Sequence, residues 1–163
     1  MSGRTYRHHY QTGAEVNAAP AALFAELDDH ARLSAHMVRS SAMMAGSAMR
    51  FDFDAARGQA VGATIRMSGR MLGLSLHVEE VVTERVVPER KVWETVSVPR
   101  LLVIGGYRMG FSIRATPAGA WLTLFIDYDD PPGAWGPIGR LLGPLYARWC
   151  SDNMVKAAVE RFG

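Results

Sequence analysis

The spacing of hydrophobic positions divides the chain into an ordered series of elements. Residues from about Thr5 to Ala18 alternate loosely between polar and apolar and predict a first strand. A short helical stretch follows. Pro20 suits the first turn of a helix, where its missing N–H has no partner to lose, and Leu23, Phe24 and Leu27 fall on one face before Asp28 and Asp29 interrupt it. The stretch from His30 to Met37 offers a further turn or two, with Leu33 and Met37 on one side.

From Ser47 the period becomes that of a strand. Met49, Phe51 and Phe53 alternate with Arg50, Asp52 and Asp54 up to a turn at residues 56–58. Val61, Ile65 and Met67 alternate with Gly62, Thr64 and Arg66, and Gly73 ends that run. Leu74, Leu76, Val78 and Val82 share one face of the next strand, with His77, Glu79 and Thr83 on the other. Pro88 turns the chain into a strand over 91–98, Pro99 turns it again, and strands over 101–114 and 121–129 follow. Runs of this length separated by turn residues predict antiparallel pairing through hairpins.

Residues 131–133 (PPG) separate the last strand from a long amphipathic segment, about 134–162, whose main helix is expected from Gly143 to Phe162. On a helical wheel Leu142, Tyr146, Trp149, Cys150, Asn153 and Ala157 cluster, while Arg140, Arg148, Val155 and Phe162 lie away from that centre. Gly143 and Pro144 are expected to bend the first turns or divide a short helix from the main one. An antiparallel sheet of consecutive strands needs a cover for one face, and this helix is the natural one. A curved sheet closed by a single helix tends to leave an internal pocket, which points to small-molecule binding.

The order of a strand, two short helices, six antiparallel strands and a long C-terminal helix resembles the START-like superfamily, which includes polyketide cyclase and dehydrase relatives and coenzyme Q-binding proteins. The resemblance is carried by the stretch PAALFAELDD from Pro20, by LHVEEVVTE running into Pro88 and then KVWET, and by the closing YARWCSDNMVKAAVERF. It implies a single α+β helix-grip domain over residues 1–163, a curved seven-stranded antiparallel sheet wrapped around the C-terminal helix. It also implies a cavity for a lipid, polyketide or quinone-like molecule. Members of the superfamily bind or transform such ligands, so the activity has to be argued from the site.

Composition narrows the function classes. The chain has 163 residues, 48% hydrophobic and 21% charged, with a net charge of +2. Its arginines are scattered rather than grouped, which argues against a nucleic-acid surface. A single cysteine, Cys150, excludes an intramolecular disulfide and suits a reducing, cytoplasmic setting. The N-terminal MSGRTYRHHY lacks the apolar centre of a signal peptide, and no run reaches the roughly 20 apolar residues of a membrane span.

Candidate chemistry is sparse. His8 and His9 are adjacent and face opposite sides of a strand; His30 and His36 are off the i, i+4 spacing of a helical metal pair. His77 and Glu79 share a strand face that reads as solvated, as do the acids of Asp52-Phe-Asp54 and Asp127-Tyr-Asp129. No metal and no cofactor is expected. Cys150, on the apolar stripe beside Trp149, reads as a buried, inert thiol. His36, Met37, Met43 and Met44 follow the small helices, where the helix-grip fold borders its pocket mouth.

Strand parity then selects a pocket lining. It places Tyr107, Met109 and Phe111 on one face with Ile113, and Tyr128 on one face with Leu122, Leu124 and Ile126; Phe51 and Met67 come from earlier strands. Helical phase adds Tyr146, Trp149 and Asn153. Trp93 is included on aromatic size, since either face of its strand can point inward. Buried hydroxyls and amides need partners, so Tyr107, Tyr128, Tyr146 and Asn153 bond to one another or to a ligand. The expectation is a non-catalytic binder of a small hydrophobic or aromatic ligand, with a cyclase, aromatase or dehydrase using the same cavity as the alternative. A membrane-surface lipid shuttle would need an exposed apolar patch, and the stretch 131–145 is where to find it.

Overall fold

A computed structural model describes residues 4–33, 35, 49–71 and 73–163; His36, Met37, Met43 and Met44 lie outside them. Strand β1 (His8–Val16) is followed by helices α1 (Pro20–Asp28) and α2 (His30–Leu33). Then come β2 (Met49–Phe53), β3 (Thr64–Met71), β4 (Leu74–Val86), β5 (Arg90–Thr95), β6 (Tyr107–Thr116) and β7 (Gly119–Tyr128). A 3-10 turn at Gly133–Trp135 leads into α3 (Gly136–Arg161).

The seven strands form one sheet in the order β1-β7-β6-β5-β4-β3-β2. Every adjacent pair is antiparallel. Chain neighbours from β2 to β7 are thus also sheet neighbours. The first strand instead pairs with the last, and the chain then passes to the far edge of the sheet. A register shift between Val82 and Glu84 interrupts the β4–β5 ladder, the kind of irregularity that bends and twists a sheet.

The concave face is apolar because the strands alternate. On β7, Ala120, Leu122, Leu124, Ile126 and Tyr128 are buried while Trp121 is exposed. On β6, Tyr107, Met109, Phe111 and Ile113 turn inward, as their parity predicts. On β5 the inward set is Lys91, Trp93 and Thr95, which settles the side that Trp93 takes; Val92, facing away, is buried as well. Burial of this extended apolar face is the main stabilising term, at about 25 cal/mol per Å² removed from water.

Several sequence expectations change. Val61 is not on a strand face: it sits in a turn, 62% exposed, and β3 begins only at Thr64. Leu74 is also exposed, at the end of β4. The strand expected from Leu101 starts at Tyr107, since residues 101–106 form a loop. The closing helix begins at Gly136 and runs unbroken through Gly143 and Pro144. Pro144 removes only one backbone hydrogen bond from the ladder.

The phase of α3 differs as well. Its buried positions are Gly139, Gly143, Tyr146, Ala147, Cys150, Ser151, Met154, Val155 and Ala158. Leu142 and Ala157 are exposed, and Val155, expected to point away, is inside. The wheel was weighted by bulky side chains, whereas the contact stripe is set by small ones. A Cβ on Gly143 would lie 2.9 Å from the Val103 carbonyl oxygen and 3.4 Å from the Tyr128 ring. The close approach of the helix to the 101–106 loop therefore requires glycine there.

Candidate ligand-binding site

Between the concave face and α3 lies a cavity of about 30 Å³. The sheet supplies Met67 from β3, Val78 and Glu80 from β4, Trp93 from β5, Tyr107 and Met109 from β6, and Ile126 from β7. The helix closes it with Tyr146, Cys150 and Met154, and the loop before β6 adds Leu101 and Ile104. That volume holds a water molecule or so. Three methionines in the wall give it side chains that repack at low cost.

Of the residues selected from the sequence, Met67, Trp93, Tyr107, Met109 and Tyr146 line this cavity, and the others do not. Phe51 is half-buried on the edge strand β2, stacked on Phe53 with ring centroids 6.1 Å apart. Phe111 is core, edge-on to Phe24 and Trp93 at 5.6 and 6.4 Å. Tyr128 packs on the His8 ring at 5.0 Å, and burial raises its phenol pKa. Trp149 is half-buried beside Tyr146. Asn153 turns its amide back along the helix, Nδ2 donating to the Trp149 carbonyl at 2.7 Å. Both belong to the helix face that the wheel placed too close to the centre.

The polar end of the cavity is built around a residue not selected from the sequence. Glu80 is 2% exposed and lines the cavity. The Tyr107 hydroxyl donates to its Oε1. Its Oε2 lies 3.3 Å from His30 Nε2, within ion-pair distance but too poorly aligned for a hydrogen bond. Among the described residues, Glu80 Oε2 and His30 Nδ1 are buried with no hydrogen-bond partner. His30 comes from the start of α2, is 1% exposed, and meets the Trp93 ring edge-on at 4.9 Å. The signal for Glu80 was present in strand parity: it falls on the same face as Leu76, Val78 and Val82, and a search for apolar residues passed over it.

Burial shapes the acid–base behaviour of the neighbouring groups. It pushes the Tyr107 phenol well above its usual pKa, and the adjacent Glu80 charge adds to the effect. Tyr146 is raised in the same way by burial, then by Cys150. The Cys150 thiol is pushed up to about 12, chiefly by burial, with the Tyr146 hydroxyl hydrogen-bonded to it. Both phenols and the thiol therefore stay protonated at neutral pH, and Cys150 is no nucleophile as it stands.

No family model matches the sequence, and no curated protein matches it. Solved structures do. The ZhuI aromatase/cyclase from Streptomyces sp. R1128 is 11% identical with a TM-score of 0.69, over 94% of this chain and 92% of that one. A truncated norcoclaurine synthase from Thalictrum flavum is 13% identical with a TM-score of 0.66, over 99% and 97%. Ara h 8.0201 is 11% identical with a TM-score of 0.65, over 95% and 97%. The fold is the helix-grip fold of these structures. At these identities the likeness is one of fold.

The helix-grip frame is also held by a second buried polar group close to the first. Lys91, fully buried on β5, donates to Asp28 Oδ1 at 2.9 Å and to the Asp28 carbonyl at 3.1 Å. Arg85 of β4 grips the same carboxylate through Nε and Nη2, at 3.2 and 2.7 Å. Burial alone would raise the Asp28 pKa, but the hydrogen bonds from Arg85 and Lys91 outweigh it and hold the carboxyl below its usual range. These contacts lock the end of α1 onto the sheet.

Outside the cavity, Ile138, Leu141, Leu142 and Leu145 of α3 are exposed, Leu141 by 74%. These four lie within the stretch 131–145, the place to look for the exposed apolar surface that a lipid shuttle would need. Among the described residues no helix is long and apolar enough to cross a membrane, and no group of His, Cys, Asp and Glu is arranged to hold a metal ion.

Proposed function

We propose that this START-like chain binds a small hydrophobic or aromatic ligand between the sheet and α3, with Glu80 and Tyr107 anchoring its one polar group. The observation that carries this reading is the half-satisfied Glu80 carboxyl at the end of an otherwise apolar cavity. A buried acceptor without a partner costs about 1–3 kcal/mol, and a ligand group or an ordered water there recovers it. Drug-sized ligands need roughly 300–1,000 Å³, so binding requires the wall to open. Met67, Met109, Met154 and Leu101 are the side chains able to yield. A lipid, a polyketide or a quinone-like ring each meets the apolar requirement.

The test is native mass spectrometry of protein purified from its own host, with organic extraction of any retained mass. A retained aromatic or lipid-like molecule, lost when Val78→Phe fills the cavity, is the expected result. Protein that retains nothing and takes up no small apolar probe would overturn the reading.

The Glu80–Tyr107 pair favours a second reading, a cyclase, aromatase or dehydrase acting in the same cavity. Such chemistry needs a positioned acid–base group beside the substrate carbonyl, and Glu80 is an ionisable residue deep in the cavity. Turnover of a polyketide-like substrate, abolished in Glu80→Gln while binding survives, would establish it; binding without turnover leaves the protein a carrier or sensor.

A further inference from the structure

We propose that the polar end of the cavity selects ligands that present a hydrogen-bond donor, such as a phenol or another hydroxylated ring, over ligands of the same size that present only a carbonyl. This rests on the reading of the cavity as a ligand site and specifies its substrate class. The cavity's polar atoms come from Glu80, Tyr107, Tyr146 and Cys150. The Tyr107 hydroxyl has one proton and gives it to Glu80 Oε1, so towards a ligand it offers only lone pairs. Glu80 Oε2 lies 3.3 Å from His30 Nε2 but accepts no hydrogen bond, so both of its lone pairs are available. The Tyr146 hydroxyl is hydrogen-bonded to Cys150, and of the two groups the hydroxyl is the stronger donor.

The remaining polar groups nearby do not alter this balance. Thr95 Oγ1 is occupied by the Tyr107 backbone, accepting from its N–H at 3.1 Å. His30 does not line the cavity; its Nε2 is directed to Glu80 Oε2 at 3.3 Å and its ring meets Trp93 edge-on, so it presents no donor to a ligand. Apart from the Cys150 S–H, a weak donor, the ligand therefore meets acceptors. A hydroxyl placed there donates to Glu80 Oε2 and satisfies the orphaned oxygen. A ketone or quinone oxygen placed there faces lone pairs and leaves Glu80 Oε2 unsatisfied, and a site of unpaired buried polar groups rejects such an analogue.

The probes are 2-naphthol and 1-tetralone, bicyclic molecules of similar size, with naphthalene as a control for apolar binding, titrated calorimetrically into the full chain. Naphthol is expected to bind roughly tenfold tighter than tetralone, the scale of one buried hydrogen bond. In Glu80→Gln, whose amide can donate as well as accept, the preference should fall to within about threefold. Tyr107→Phe frees a second acceptor site on Glu80, so the naphthol preference should persist or grow; this variant carries the test if Glu80→Gln does not fold. Tetralone binding as tightly as naphthol to the unaltered protein would overturn the selection while leaving the cavity-binding reading intact. Loss of the preference in Tyr107→Phe would do the same. Failure of all three probes, naphthalene included, would remove the binding reading and this inference with it.

Discussion

The fold buries two polar clusters side by side, and they differ in how completely their members are satisfied. Asp28 and His30 are two residues apart in sequence; each faces a charged group carried by β4 or β5. In the first cluster no buried side-chain atom lacks a hydrogen bond: the Asp28 carboxylate takes three hydrogen bonds from Arg85 and Lys91, and Lys91 also meets the Asp28 carbonyl. In the second, Tyr107 serves one oxygen of Glu80, while the other oxygen and His30 Nδ1 have no hydrogen bond. A closed network specifies geometry, because each member holds the others in place. An open one has spare capacity directed at whatever enters the cavity. Completeness of pairing, rather than burial or charge, separates the structural cluster from the candidate site.

The largest expected effect tests the closed cluster. Lys91→Met keeps the length and apolar character of the side chain but leaves the buried Asp28 carboxylate with Arg85 alone. Removing one partner of a buried pair costs about 3–5 kcal/mol; with Arg85 still in place we expect about 3 kcal/mol, read from urea unfolding at neutral pH. A loss below about 1 kcal/mol would mean that the cluster does not anchor α1.

The same cluster should show in acid. The folded-state pKa of Asp28 lies below its ordinary value, so its contribution is fully present above the unfolded carboxylate value of about 3.9 and is lost as pH falls through the lower, folded value. The difference in unfolding free energy between the unaltered protein and Asp28→Asn should thus be constant from neutral pH down to about 4 and narrow below it. Taking the difference removes the titration common to both proteins, including that of Asp130, whose pKa burial would raise but which the hydrogen bonds and charges of His8 and Arg7 together hold below the ordinary range. A gap that stays constant to the acid end of the transition would show that Asp28 is not ionically paired in solution.

The open cluster should respond in the opposite sense. Replacing both members of a hydrogen-bonded pair by apolar groups of similar shape is close to neutral. Glu80→Leu with Tyr107→Phe removes the orphaned oxygen but leaves buried His30 Nε2 without its ion-pair partner, so it is expected to cost no more than about 2 kcal/mol. Affinity for a hydroxylated ring should be lost at the same time. Stability maintained with binding abolished is the mark of a group retained for function. A loss as large as that of Lys91→Met would place Glu80 in the structural class.

What the sequence made legible follows from how periodicity encodes each part. The architecture was readable because strand alternation and turn residues act locally; α1 starts at Pro20 and ends at Asp28, where proline and paired aspartates place its boundaries. The inward set of β6 and β7 was equally plain, since each strand carries a run of large apolar residues on one parity. The candidate site was harder to read because its key members break the pattern used to find it. Glu80 lies on the inward parity of β4 but is an acid, and His30 opens a helix of four residues too short to show a face. Helical phase failed for a related reason. The stripe of α3 that meets the rest of the fold uses Gly139, Gly143, Ala147, Ser151 and Ala158, which carry little hydrophobic weight, so the wheel turned towards Trp149 and Asn153.

That rotation yields the smallest effect and the finest test. Asn153 was selected as a polar anchor within an apolar stripe, but its Nδ2 donates to the Trp149 carbonyl one turn back, and it does not line the cavity. A half-buried amide bonded to its own helix is replaceable by water, and such back-bonding adds little to helix stability. Leucine has the higher helix propensity, by a few tenths of a kcal/mol. Asn153→Leu should accordingly shift unfolding by less than about 0.5 kcal/mol and change ligand affinity by less than about twofold. A weakening of tenfold or more would show that the Trp149–Asn153 face, rather than the Tyr146–Cys150–Met154 face, meets the ligand. The helix would then have to turn on its axis as the cavity opens, and the contrast between the two buried clusters would describe only the closed state.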